Sequence, residues 1–442
     1  MRRYVTLGAL VAVGALSMVV ADAQRKVIDI QLDKVPDKFP VITGGRQTPA
    51  EGAGAKAEMR RVYEEWGAAW PAGARAQAPA PTRTLSVTLT GQSMIRSDIR
   101  VHTPEVVSTW APLLKGDVVF TNFESAVVER GEPLAAGRFL TPPEALDALQ
   151  AMGFNLLSLA NNHAFDNKAS GVQHALDETS RRRIAHAGTG KTIAEAAAPA
   201  YLKTSKGTVA LVAIASGLVE EGGSAAANRP GVNELRVDHG KPNDEDAQRI
   251  LQSIRGASQK ADLVIVYEHN HVFGDVPFGT MMLEELPERL RPADWLTQWT
   301  HAEVDAGADL IVMHGAPLVH GVEIYRGRPI FYDLGNFIFQ YPPARVQLDE
   351  PIIWESVVAS VVFRAKTLQS IRFRPLAMNK LGQGQPDLKD EHTNNLFLQT
   401  RGLPKPATGD QARFILERLA DSSKPFGTTV VVKGEVAEVS LK

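Results

Sequence analysis

The sequence predicts an α/β fold, and three observations predict it. From Leu85 onward, short apolar runs alternate with amphipathic stretches of helical period, the pattern of a parallel-rich sheet covered on both faces. The helical stretches are punctuated as helices should be: PPEALDALQAMG opens on Pro142 and closes on Gly153. After Gly321 the texture turns strand-rich, which predicts a second, mixed or antiparallel sheet.

Taken in order, LSVTLTG (Leu85 to Gly91) reads as a strand, DVVFTNFE (Asp117 to Glu124) as a second and NLLSLANN (Asn155 to Asn162) as a third. The Pro142 to Gly153 helix lies between the last two. SGVQHALDETSRRRIAHAG follows as a helix opened by Ser170, TVALVAIAS as a strand, DEDAQRILQSIRGA as a helix and DLVIVYEHNH as a strand. WLTQWTHAEVDAG and DLIVMHG repeat the unit. VEIYRG, PIFYDLGNFIF, WESVVASVVFR and SIRFRPL form the strand-rich part. GDQARFILERLADSS is the last helix, and TTVVVKGEVAEVSL closes the chain as a hairpin turning at Lys433-Gly434.

Upstream of the alternation lie two further segments. Residues 1–23 combine Arg2 and Arg3, an apolar run from Val5 to Val20 and Ala21-Asp22-Ala23, the make-up of a secretory signal peptide cleaved after Ala23. The expectation is an exported protein, in the periplasm or at the cell surface. An uncleaved anchor is the alternative, although the run is short for a membrane span. Residues 24–83 read as an extension with one helical patch, EMRRVYEEWGAAW, and an Ala/Pro-rich linker; Trp66 and Trp70 form a packing stripe on that patch. Residues 84–442 make up the folded domain.

Composition narrows the chemistry. Of 442 residues 44% are apolar and 22% charged, an ordinary globular balance with a sizeable core. The formal charge of −2 supplies no cationic field for phosphate backbones, and Arg181 to Arg183 form only a short cluster, so nucleic acid is not expected as a partner. The absence of cysteine removes thiolate catalysis, disulfides and sulfur-ligated zinc.

The strand ends are where ligand-capable side chains gather. The first strand ends in Gly91-Gln92, the second in Asn122-Phe123-Glu124 and the third in Asn161-Asn162-His163. The later ones end in Glu268-His269-Asn270-His271 and His314-Gly315. Ligands of open α/β sheets bind at that edge. Carboxylate, imidazole and amide oxygen suit Mn, Zn, Fe or Mg, and His269 and His271, two apart on a strand, face the same side. Such a site polarises a scissile group and makes hydroxide near neutral pH. Without a metal, the same residues could serve as general acid and base.

ANNHAFDN, with GDVVFTNFESAV and HAEVDAGADLIVMHGAPLVHGVEIYRGRPIFYDLGNFIF, resembles the CapA family of poly-γ-glutamate capsule synthesis proteins over roughly Leu85 to Ser423. The resemblance implies a four-layer α/β/β/α sandwich of the metallo-dependent, calcineurin-like phosphatase type. It implies metal or catalytic roles for Glu124, Asn161, Asn162, His163, His269 and His314, with Asp166 holding the His163 loop. Departures from the family pattern bear on the metal. Gln92 stands in a usual Asp position, and a neutral amide coordinates more weakly. His314-Gly315-Ala316-Pro317 replaces a His-His-Pro-His loop, with His271 or His320 as compensating imidazoles, and Asp333 adds a carboxylate. One divalent ion (Mn, Zn or Fe), or none, is expected rather than two.

The leading expectation is an exported CapA-type enzyme that hydrolyses or transfers an amide or ester bond of an anionic peptide or γ-glutamyl polymer, with capsule-assembly membrane proteins as further partners. One alternative is a non-catalytic polymer-binding or export accessory. Another is a metal-free acid/base enzyme such as a peptide α-carbon epimerase, with His269 and a carboxylate on opposite faces of the substrate. GTGK at Gly188 to Lys191 lacks the first Gly and the following Ser/Thr of a phosphate loop. Asn336 is read as shaping a turn or touching substrate, and His102, His174, His186 and His301 as surface or helix-face residues.

Overall fold

The computed structural model describes residues 84–135, 137–273, 291–341, 350–385 and 396–441. The expected signal peptide, linker and Trp66/Trp70 stripe lie outside them. Among the described residues, no helix is long and apolar enough to cross a membrane.

The first half follows the expected alternation. β1 (Thr84–Leu89), a short β2 (Gln92–Met94), α1 (Pro104–Trp110), β3 (Val118–Asn122), α2 (Glu144–Met152), β4 (Leu156–Ser158), α3 (Lys168–Arg181) and β5 (Ala185–Ala187) come first. β6 (Ala200–Thr204), β7 (Gly207–Ser216), α4 (Asp244–Ser258), β8 (Leu263–Asn270), α5 (Asp294–Ala306) and β9 (Leu310–His314) follow. The remainder is β10 (Val322–Tyr325), β11 (Arg328–Phe331), β12 (Asn336–Phe339), β13 (Glu355–Arg364), β14 (Thr367–Met378), β15 (Pro404–Pro406), α6 (Gly409–Ser423), β16 (Val430–Lys433) and β17 (Val436–Val439).

Local chemistry explains several boundaries. α2 stops at Gly153, whose φ of 101° lets its amide reach back to the carbonyls of Leu149 and Gln150. α4 is capped by Asn243, which accepts from the Asp246 amide at 3.2 Å, and carries three acidic residues in its first turn. α3 begins at Lys168 rather than Ser170 and ends at Arg181, while the expected helical tail folds as β5. At the end of the helix the buried Arg182 guanidinium ties Asp147, Glu178 and the Pro143 carbonyl together, so this member of the arginine cluster is structural.

The strands form a large mixed sheet and a smaller one, so the molecule is a mixed α/β fold. The nine-stranded sheet runs β16-β17-β14-β13-β1-β3-β4-β5, with β15 attached to β14; the six-stranded sheet runs β10-β11-β9-β8-β7-β6. The smaller sheet is parallel at its centre, in β7, β8, β9 and β11, whereas the parallel strands of the larger, β1, β3, β4 and β5, make up one end of it with β5 at the edge. The expected division between a parallel first sheet and a separate C-terminal sheet is therefore corrected. The alternating strands split between both sheets, and the late strands extend each of them. β13 pairs antiparallel with β1 from Thr84↔Arg364 to Leu89↔Ala359, a long-range pairing that no local pattern encodes. The final turn also shifts by one: Lys433 pairs with Val436, leaving Gly434-Glu435 as the loop, with Gly434 at φ 62°.

Side-chain alternation distributes the core. Leu85, Val87 and Phe120 of the large sheet share one apolar cluster with Leu211, Ile265 and Val312 of the smaller. Val119, Leu157 and Val358, facing the other way, join Trp110 of α1 and Leu146 and Leu149 of α2. On the smaller sheet, Val264, Val266 and Ile311 join Ile250 and Ile254 of α4 and Trp299 of α5.

Candidate functional site

All eight residues of β8 are buried, yet its sequence turns from LVIV to YEHN, so polar groups are carried into the interior at the strand's carboxyl end. Strand pleating sends Tyr267 and His269 to one face and Glu268 and Asn270 to the other. β3 ends beside it, delivering Asn122 and, two residues on, Glu124. β4 ends into the loop holding Asn161, Asn162 and His163.

His269 is at the centre. Its Nε2 lies 2.8 Å from Asn162 Oδ1, 3.0 Å from His271 Nε2 and 3.6 Å from Glu124 Oε1. Its Nδ1 lies 3.2 Å from the Tyr267 hydroxyl and 3.5 Å from Asn122 Nδ2. Glu124, His269 and His271 each offer a ligand atom, and these atoms lie within 4.8 Å of one another. The three could hold a metal ion.

The electrostatics suit a cation. Burial, then the neighbouring His271, His314 and His163, hold His269 well below the ordinary imidazole range. Burial pushes His271 and His314 down to about 3. The three rings are therefore neutral near pH 7, the form that coordinates. Burial, reinforced by Asp166, pushes Glu124 well up, and its Oε2 is buried without a hydrogen-bond partner among the described residues. A carboxylate so placed is stabilised in its charged form only by a positive neighbour. Two imidazole nitrogens and one carboxylate oxygen fit a borderline divalent ion such as Zn, Mn or Fe.

The remaining sequence candidates take different places. Asn161 donates from its amide to the Phe123 carbonyl at 2.9 Å and accepts the His163 amide at 3.1 Å; both ends of its side chain shape the loop. Asn162, in contrast, touches His269. His163 sits 21% exposed with Nδ1 3.2 Å from Asp166 Oδ2, and its ring packs against Phe139 at 4.2 Å. Asp166 also accepts the Phe139 amide at 2.7 Å; despite burial, which acts upward, His163 and that amide keep its carboxyl below the ordinary range. Gln92 is buried with Oε1 unpartnered among the described residues, and it pairs in register with Asn336, whose Oδ1 is in the same condition. His314 lies beside His269 in register, with Nδ1 3.3 Å from the Tyr267 hydroxyl. Of the eight residues expected as ligands, Glu124, His269 and His271 converge, and Asn162 Oδ1 lies 2.8 Å from the His269 Nε2 at their centre.

Gly315 explains part of the altered His loop. Its φ is 131°, and a Cβ there would fall 1.8 Å from the Asn270 carbonyl oxygen, so no other residue fits after His314. Asp333 accepts the Gly335 amide at 3.0 Å, and burial pushes its carboxyl well up. His301 lies on a partly exposed face of α5 as expected, where it stacks on Tyr325 at 3.7 Å and meets Glu323 at 2.9 Å, whereas His186 lies on a strand, with Nδ1 2.9 Å from the Ile184 carbonyl.

Sequence reasoning missed Tyr267 and Asn122. Tyr267 read as strand core, although its place two before His269 and four before His271 put all three on one face. Asn122 was visible at the strand end but indistinguishable there from a turn residue.

Three comparisons bear on these residues. The chain is similar to an uncharacterized protein, y4sH, of Sinorhizobium fredii (strain NBRC 101917 / NGR234), with 29% identity over 427 residues, covering 74% of this chain and 87% of that one. It is similar to the PGA biosynthesis protein CapA of Bacillus subtilis (strain 168), with 30% identity, covering 50% of this chain and 53% of that one. The solved NAD nucleotidase (NadN) of Haemophilus influenzae aligns with 12% identity and a TM-score of 0.34 over 77% of this chain and 56% of that one, too distant to argue from. The family model described as bacterial capsule synthesis protein PGA_cap matches residues 86–341, which span every strand end of the site from Gln92 to His314. The chain that builds this Glu/His/His cluster thus belongs to the PGA_cap, or CapA, family of bacterial capsule synthesis proteins.

Proposed function

We propose that the protein is an exported enzyme of capsule or poly-γ-glutamate synthesis that hydrolyses or transfers an amide or ester bond of an anionic peptide or γ-glutamyl polymer. The observation that carries this reading is the convergence of Glu124, His269 and His271 within 4.8 Å, the first two buried and the third partly so, around one carboxyl oxygen without a partner among the described residues. We read the two sheets with their helical covers as a four-layer α/β/β/α sandwich of metallo-dependent phosphatase type, placing this cluster at the carboxyl ends of the central strands. The signal-like residues 1–23 support export to the periplasm or cell surface.

One divalent ion, Zn, Mn or Fe, would be held by Glu124, His269 and His271. It would polarise the scissile carbonyl and acidify a nearby water. The chain supplies the proton handling. His163, partly exposed and with Nδ1 turned to Asp166, would act through Nε2 as a general acid or base, and Asp166 would fix its tautomer as a carboxylate does in other His-carboxylate pairs. Phe139 packs on the ring at 4.2 Å, tilted by 48°.

Elemental analysis by ICP-MS of protein purified without chelator or affinity metal, beside His269→Ala and His163→Ala, tests the reading. The expected result is about one equivalent of Zn, Mn or Fe, lost in His269→Ala and kept in His163→Ala, with polymer cleavage lost in both. No metal in the parent protein overturns the metal-assisted reading. Full cleavage by His163→Ala overturns its role and favours a binding or export accessory.

A further inference from the structure

The loop after β7 runs from the Glu/His/His cluster to the His163 loop. It starts at Gly217, where a Cβ would fall 3.1 Å from the His271 carbonyl carbon, and returns at Gly223, where a Cβ would fall 3.1 Å from the Phe165 Cβ. Between them Glu220 reaches two cations. Each of its carboxylate oxygens lies 3.2 Å from Arg138 Nη1, and Oε1 also meets Lys168 Nζ. Both cations belong to the segments that hold His163 and Asp166. Arg138 precedes Phe139, whose amide binds Asp166 and whose ring packs on His163, and Lys168 lies two residues beyond Asp166.

Stability is a weak reason for this arrangement. The side chains of Arg138, Lys168 and Glu220 are 40%, 54% and 30% exposed, and ion pairs in that setting contribute little to folding. The backbone on both sides of the bridge is held in the left-handed region, at Lys168 (φ 53°) and at Leu218 (φ 55°), a conformation unfavourable for residues with a Cβ. Leu218 is itself exposed, so burial of its side chain does not offset the bend. Lys168 and then Arg138 draw the Glu220 carboxyl below its ordinary range, so what the two cations hold is a carboxylate. The guanidinium is only partly used: Nε and Nη2 of Arg138 have no hydrogen-bond partner among the described residues. Such a fork matches the planar geometry of a carboxylate.

We propose that Arg138 and Lys168 form a carboxylate subsite beside the Glu/His/His cluster, and that Glu220 is an internal occupant which a carboxylate group of the anionic polymer displaces. The subsite stands on the geometry of these three side chains; that its ligand is the γ-glutamyl polymer rests on the proposed function. An internal occupant lowers the apparent affinity by the fraction of time it fills the site. It also keeps the two cations paired while no ligand is bound, so a ligand carboxylate exchanges for one already in place.

Calorimetric titration of the full-length protein with a γ-linked and an α-linked glutamate pentamer tests this, on the parent and on Glu220→Gln, Arg138→Gln, Lys168→Gln and Glu438→Gln. Glu220→Gln removes the competitor and should tighten binding about 5-fold. Arg138→Gln should weaken it about 10-fold, and Lys168→Gln should weaken it by less. Glu438→Gln makes the same change of charge where Glu438 of β17 meets Lys433 at 2.6 Å, and should leave affinity unchanged. Equal tightening in Glu438→Gln, unchanged affinity in Arg138→Gln, or no binding of either pentamer by Glu220→Gln overturns the subsite. Binding of the α-linked pentamer alone, tightened by Glu220→Gln and weakened by Arg138→Gln, upholds the subsite and overturns the γ-glutamyl reading, so the two failures are told apart.

Discussion

The two faces of β8 are both buried and both polar, but they are built to opposite rules. On the face of Tyr267 and His269, side chains from different strands and loops converge with atoms left over: Glu124 Oε2 and His314 Nε2 have no hydrogen-bond partner among the described residues. On the face of Glu268 and Asn270 the strand's own polar groups close on one another, while Glu303 of α5, beside them, keeps both carboxyl oxygens buried without a partner among the described residues. Ser216 Oγ lies 2.9 Å from both Glu268 Oε1 and Asn270 Oδ1, and Trp299 donates to Glu268 Oε2 at 3.0 Å. A protein interior tolerates buried polar atoms when they are satisfied; leaving several unsatisfied at one spot is costly and marks a place kept for something else. The difference lies in what the strand's own side chains meet: on one face Ser216 and Trp299, on the other the imidazoles and carboxyl of three other segments.

The largest effect that would break this contrast is at Glu124. Glu124→Gln keeps the shape and removes the charge, so cation affinity should fall by more than about 100-fold, beyond the range seen for outer partners. The same change removes an uncompensated buried carboxyl, so the cation-free protein should melt higher than the parent. Calorimetry with and without Zn²⁺ reads both. A lower melting temperature for the cation-free variant would mean that Glu124 is satisfied in the fold and that the two faces do not differ.

Trp299→Phe probes the other face. It leaves Glu268 Oε2 without its donor, at a cost of about 1–3 kcal/mol, measurable by urea unfolding. Cation affinity should not move. A parallel loss of cation binding would show that the sheet does not insulate its faces.

The same contrast marks what could be read from sequence. Strand ends and histidine spacing pointed to Glu124, His269 and His271, because polar residues ending an apolar strand stand out against their surroundings. Asn161 carried the same signal and turned out to bind backbone, since an amide beside a tight loop satisfies peptide groups as readily as a ligand. Tyr267 gave no signal, because an aromatic residue in a buried strand has an ordinary packing role whether or not its hydroxyl is used. The alternation of strands and helices was visible, but the allocation of strands between two sheets was not. That depends on the pairing of β1 with β13, set by contacts far apart in the chain.

The most gradual expected effect concerns pH, where the faces should pull in opposite directions. His271 and His314 titrate at about 3 in the fold against about 6.5 when unfolded. As pH falls below 6.5 the unfolded chain takes up protons that the folded chain refuses. Each ring then removes up to about 1.4 kcal/mol of stability per pH unit. Burial raises Glu268 above its ordinary value of 4.5, so between that value and its raised one the folded chain holds a proton that the unfolded chain has released. Its contribution is fully present below 4.5 and is lost as pH rises, opposing the histidines across the overlap. Glu268→Gln removes the titration while its amide can still accept from Trp299 and donate to Ser216. The variant should match the parent near pH 4.5 and become progressively more stable than it up to pH 8. Its stability should climb with pH more steeply, by up to about 1.4 kcal/mol per unit within the overlap. Urea unfolding of both proteins between pH 4.5 and 8 reads the two slopes. Parallel curves would show that Glu268 titrates normally, and that its closed network, unlike the cluster across the strand, leaves the carboxylate as well solvated as water would.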